Sequence, residues 1–297
     1  MIMNKKICVI TGANSGIGKA AAIQIMQEGV HVVLACRHQG RGEAALADIR
    51  QVTGMNSVEL MLVDMSSQAS IRAFAEAYLA KYDVLDVLIH NAAKFDVTQK
   101  KPVQTDEGIE SIWATNHLGP VLMTDLLLDA IKRSGQGRII TVSSKGLIVF
   151  PFLKVIVDDP EFERRRFTVT KAYYQSKLAQ VMYTFWLADK LGDTAVTVNS
   201  IRVTNVKIDI ESRYPNASKF SKWVYSQKSK SSISPEEMAK TYTYLAVSDE
   251  VSKTTGTYYD DPTHIVRASN YSYDKSNIEQ VMACTMRYLK KDNVASV

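Results

Sequence analysis

Cysteine is scarce in this chain of 297 residues, with only Cys8, Cys36 and Cys284 present. Their number is odd and their spacing fits no metal site, so neither a disulfide framework nor a cysteine-held metal organises the fold, and no metal is expected. Long apolar runs are missing too: none reaches the length of a membrane span. The opening MIMNKKICVITG leads straight into a strand and leaves no room for a signal peptide or anchor. A cytoplasmic protein without an integral membrane segment is therefore expected. Neither sign of charge is in excess, since 36 Lys and Arg against 31 Asp and Glu leave +5, too little and too scattered to imply nucleic acid. Glycine, proline and serine form no linker-like cluster and no repeat is found, which leaves one domain over residues 1–297.

What the chain has is concentrated first between Ile7 and Glu28, where ICVI is followed by TGANSGIG and KAAAIQIMQE. An apolar run bounded by glycine suits a buried parallel strand, and the stretch rich in Ala, Ile and Gln before Gly29 reads as a helix. The glycines between them have separate tasks. A side chain at Gly12 would obstruct the turn, one at Gly16 would keep a pyrophosphate from the backbone, and one at Gly18 would hold the helix off the strand. Free N–H groups at the helix start, backed by the positive end of the helix dipole, then cradle a phosphate.

Strands and helices alternate through the rest. Strands are predicted at 31–36, 58–63, 85–90, 137–142, 195–201 and 255–261, and helices at 42–50, after Ser66 or Ser67, at 106–133, at 171–191, after Ser234 and around 278–290. This predicts an α/β fold: a Rossmann-type doubly wound parallel sheet of about seven strands in three layers, αβα.

The second strand ends at Cys36, where a carboxylate for ribose hydroxyls would be expected, and Arg37 follows. A guanidinium can fork onto a 2′-phosphate that a carboxylate would repel, so NADP(H) is preferred, with Ser15 as a second contact and His38 or Arg41 as weaker ones. The competing reading of Arg37 is a solvated loop charge. Tyr173 and Lys177 stand at i and i+4 on one helical face. A free Tyr is a poor acid or base at neutrality, and a neighbouring ammonium favours its phenolate. Tyr173 can then give a proton to a carbonyl oxygen or take one from an alcohol. Tyr174 is a decoy, since Y-x-x-S-K begins at Tyr173. Residues 146–157 (GLIVFPFLKVIV) are greasy for a connection. Three readings stay open for them: a pocket wall, a contact with a membrane surface, or a short core element.

TGANSGIG, HNAA at 90–93, TNHLG at 115–119, a strand ending in Ser143 and Ser144, and YYQSK at 173–177 occur in the order of the short-chain dehydrogenase/reductase family, which the chain resembles over roughly residues 5–260. LACR after the second strand and the long gap between SS and YxxSK are nearest the retinol-dehydrogenase-like branch. The resemblance implies that Tyr173 is the general acid/base and that Lys177 lowers its pKa and binds the nicotinamide ribose. It implies further that Ser144 holds the reacting oxygen and that Asn116, at a distortion of its helix, keeps a proton relay. The cofactor-binding set it implies is Gly12, Asn14, Ser15, Gly16, Ile17, Gly18, Arg37, Asp64, Met65, Asn91, Ala92, Ala93, Tyr173 and Lys177. Asp64 reads equally as a turn residue, Asn116 as an exposed amide, and Ala93 in place of the usual Gly asks for a negative φ. The family also implies a homodimer or homotetramer paired through two long helices, and a substrate lid at about 205–235. One departure stands out: Val203 and Thr204 replace the family's Pro-Gly, and Ile208 its nicotinamide-binding Thr.

The expected function is an NADP(H)-dependent oxidoreductase that reduces a ketone or aldehyde, or oxidises the alcohol, on a small apolar substrate. The alternatives are a nucleotide-binding scaffold or sensor with weak turnover, supported by the altered loop, and a C=C reductase of the same fold.

Overall fold

The structure is a computed structural model, and it describes residues 5–207 and 232–289. One eight-stranded sheet runs through it in the order β3-β2-β1-β4-β5-β6-β7-β8. The strands are β1 Ile7–Thr11, β2 His31–Cys36, β3 Val58–Leu62, β4 Val87–His90, β5 Arg138–Ser144, β6 Thr197–Val203, β7 Thr257–Asp260 and β8 His264–Ile265. The first seven pair in parallel; β8 folds back antiparallel on β7. Seven strands were expected, and β8 escapes the sequence because two residues carry no period.

Both faces of the sheet are covered, as continuous apolar strands require. In β1, Cys8 and Ile10 face one helical layer, Ile7 and Val9 the other. The first layer holds α1 Gly16–Gln27, α2 Gln39–Thr53 and α7 Pro235–Val247. The second holds α3 Gln68–Leu79, α5 Gly119–Arg133, α6 Val169–Lys190 and α9 Lys275–Tyr288. Two short helices, α4 Ser111–Trp113 and α8 Asn270–Tyr273, complete the set.

The helix expected at 106–133 is shorter and interrupted. Glu110 caps α4 by accepting from the N–H groups of Ile112 and Trp113, and a π segment, Ala114–Leu118, separates α4 from α5. Strand order reverses between β1 and β4, and ligands in open α/β sheets bind outside the carboxyl ends at such a reversal. The glycine turn follows β1 at that point.

Candidate active site

Gly12 has φ +66° and Gly16 φ +55°, both in the left-handed region that favours glycine. A Cβ on Gly12 would press on Ala92 Cα at 3.0 Å, whereas one on Gly16 would meet nothing within 4 Å. Open space thus lies over Gly16, where the backbone can approach a pyrophosphate. A Cβ on Gly18 would strike Asn91 Nδ2 at 2.5 Å and Gly12 O at 2.8 Å, so this glycine serves the closure of the turn on the β4 loop. Ser15 caps α1 in extended conformation without spending its hydroxyl on the helix. Asn14 and Ile17, both half-buried, complete the turn.

Thr11, Asn91, Tyr242 and Cys36 brace this turn. Thr11 Oγ1 accepts from Ala92 N at 2.9 Å. Asn91 Nδ2 donates to Thr11 O at 2.9 Å and to Gly12 O at 3.2 Å, and its Oδ1 accepts from the Tyr242 hydroxyl on α7. The Cys36 thiol, pushed up to about 11 by burial, accepts from the N–H groups of Ala13 and Asn14. Asn91 is therefore spent on the scaffold. Among described non-glycine residues φ is positive at Phe162, so Ala93 takes the negative φ its side chain asks for.

Arg37, His38 and Arg41 converge beyond β2. Arg37 Nε donates to His38 Nε2 at 3.2 Å, and its head lies 3.8 Å from Asp64, half in solvent. Burial and the two guanidinium charges hold the His38 imidazole below its usual range. An anion would relieve that repulsion. Asp64 Oδ1 accepts from Ser66 N and Oγ, as a turn residue does, and the buried Met65 lays its carbonyl against Gly119 at the start of α5.

At the carboxyl ends of β4 and β5 the chemical groups gather. Lys177 is 1% exposed, and its Nζ donates to Val142 O at 2.6 Å and Gln180 Oε1 at 3.1 Å. Burial lowers its pKa to about 7. That Nζ lies 5.8 Å from the centre of the Tyr173 ring, which packs on Phe95 at 4.4 Å. Phe95 lies in the loop that follows β4, four residues after Asn91, so Tyr173 stands beside that loop. Ser143 is buried and donates to Lys177 O; Ser144, half-buried, accepts from Gly146 N and bonds the hydroxyl of the decoy Tyr174.

Asn116 sits in the π segment, fully buried, so it is not the exposed amide of the alternative reading. Its amide is satisfied: Oδ1 accepts from Lys94 N at 2.7 Å, and Nδ2 donates to Lys94 O and Ser176 Oγ. His90, at the end of β4, bonds Thr124 and is held neutral by burial, with a pKa lowered to about 3.

The departure at Val203 and Thr204 has a structural counterpart. With no proline to interrupt the ladder, β6 continues until Val203 pairs with Ser144. Beyond it Val206 bridges Ile233 in parallel. Ile208 and most of the expected lid lie outside the described residues. Residues 146–157 do not form a core element: the turn Lys145–Val149 contains no buried residue, and in the following stretch Val155 is the one that is buried.

Two family models match, one described as short chain dehydrogenase over residues 6–152 and one as Enoyl-(Acyl carrier protein) reductase over 162–260. Retinol dehydrogenase 13 of Homo sapiens is 35% identical over 263 residues, 86% of this chain and 76% of the relative's length. Dehydrogenase/reductase SDR family member 13 of Bos taurus is 42% identical over 196 residues, 65% of this chain and 49% of its own. A crystal structure of an uncharacterised protein from Mycobacterium paratuberculosis superposes with a TM-score of 0.74 at 25% identity, covering 97% of this chain and 94% of that one. With the glycine turn at the reversal of strand order, the π segment at Asn116 and the Tyr173–Lys177 pair on one helical face, these likenesses show that the chain belongs to the short-chain dehydrogenase/reductase family of oxidoreductases.

Proposed function

We propose that the chain is an NADP(H)-dependent oxidoreductase that reduces a ketone or aldehyde, or oxidises the alcohol, on an apolar substrate. The observation that carries this is the buried ammonium of Lys177 beside the Tyr173 ring, which packs on the loop after β4 whose Asn91 braces the glycine turn. The residues fit a dinucleotide: the space over Gly16 and the uncapped start of α1 suit the pyrophosphate, and Arg37, His38 and Arg41 a 2′-phosphate. When bound, the nicotinamide supplies the hydride. Tyr173 gives the proton to the carbonyl oxygen in reduction and takes it from the hydroxyl in oxidation. Lys177, charged, favours the phenolate, and Ser144 donates to the reacting oxygen. Asn116 holds Lys94 and Ser176, and through Ser176, whose Oγ donates to Tyr173 O at 2.7 Å, it fixes the start of α6.

Tyr173→Phe is expected to lower kcat by roughly 10²- to 10⁴-fold with NADPH binding intact. NADPH absorbance against aldehydes and ketones measures it, and a surviving rate would remove Tyr173 from its role. Reduction of C=C bonds is the second reading, favoured by the description of the family model over residues 162–260. Turnover of enones alone in the same assay would select it.

A further inference from the structure

We propose that residues 147–154 dock the protein on an anionic lipid bilayer. Phe152 is 93% exposed, Val149 75% and Ile148 57%. Single exposed apolar side chains are ordinary on a soluble protein, but three within residues 148–152 form a patch that water covers poorly. The stretch is held in this posture. Ser144 caps the turn, Phe150 N donates to Leu147 O and Leu153 N to Phe150 O, each at 3.0 Å, and the Phe150 ring packs on Tyr174 at 4.8 Å. Phe150 thus anchors the loop while Phe152 points outward.

A cavity of about 600 Å³ lies behind the loop, walled by Leu153 and by Leu178 and Val181 of α6. Its lining contains Lys154, Arg202 and Arg267 and no carboxylate. Arg202 is neutralised by Asp260, which leaves Lys154 and Arg267, both exposed, as the charge at the rim. Exposed apolar side chains beside two cations match the boundary between acyl chains and anionic headgroups. A second copy of the chain fits less well, because it would bring a rim of the same sign. Tyr258 of β7, two strands from the serines that end β5, also lines the cavity, so the docked face opens toward the carboxyl ends of the sheet. The docking does not depend on which reaction the site performs.

Sedimentation of the full chain with vesicles tests this, using phosphatidylcholine alone and phosphatidylcholine mixed with phosphatidylserine. The chain is expected to pellet with the mixed vesicles and far less with the neutral ones. Val149→Ser with Phe152→Ser is expected to weaken that binding about tenfold or more. Lys154→Glu with Arg267→Glu is expected to abolish the preference for the anionic vesicles. None of these residues belongs to the catalytic set, so thermal midpoint and NADPH binding should stay as in the parent and report an intact fold. Three results would each overturn the proposal: the parent remaining in the supernatant with both vesicles, equal binding by the variants, or binding of free oleate without binding of vesicles.

Discussion

Lys177 shows how a single residue couples folding to chemistry. Its folded pKa of about 7 lies below the ordinary 10.5 because the ammonium is buried. Between these values the unfolded chain binds the extra proton, so the stability this group controls rises as pH rises through that window. The urea midpoint of the parent is expected to gain on going from about pH 7 to about pH 9. Lys177→Met should show a smaller gain. Arg37 is the matching residue at the adenine end: Arg37→Ala should weaken NADPH about tenfold or more and NADH by about twofold or less, measured by fluorescence titration. Equal weakening would contradict the phosphate assignment. The glycines and the Tyr173–Lys177 pair were legible in the sequence because their spacing is itself the geometry. The bracing contacts of Thr11, Cys36 and Tyr242 were not, since each acts on a partner remote in sequence; Tyr242 reaches Asn91 across 151 residues.

At the level of elements, the interrupted helix is the informative case. The apolar pattern over 106–133 gives no sign of the π segment, because Ala114, Asn116, His117 and Leu118 within it are buried like the residues on either side. Sequence therefore located Asn116 but not the register change that buries it. Gly119 follows that segment, and a Cβ there would run into the carbonyl of Met65. Backbone cannot swing aside as a side chain can. Gly119→Ala is accordingly expected to cost about 1–3 kcal/mol in denaturant unfolding, and to weaken NADPH binding by displacing the loop after β3. The loop at 157–168 was legible only as polar. Asp159 gathers it, accepting from Glu163 N, Arg164 N and the Arg165 guanidinium, while that guanidinium also reaches Gln175 on α6.

On the scale of the whole molecule, α8 and α9 pack against α6 within the one chain. Every residue of α6 from Gln175 to Thr184 is buried within the single chain. Phe185 stacks on Tyr273 of α8 at 4.6 Å, and His117 bonds Thr285 of α9 at 2.7 Å. Pairing through α6, which the family resemblance implied, would first require this cover to leave. Light scattering is expected to give the mass of one chain, and a dimer that survives dilution would refute this. The terminal helix around 278–290 was legible in the sequence but its berth was not, for amphipathicity names a face and not the surface that receives it.

The hairpin partner β8 also bears on how molecules of this kind live side by side. A parallel sheet that stopped at β7 would leave a full row of amide donors and acceptors on its last border, a template for strand addition. Two residues running the other way interrupt that row and leave too little backbone for a neighbour to copy. Crowded copies are thereby kept from zipping together at this end.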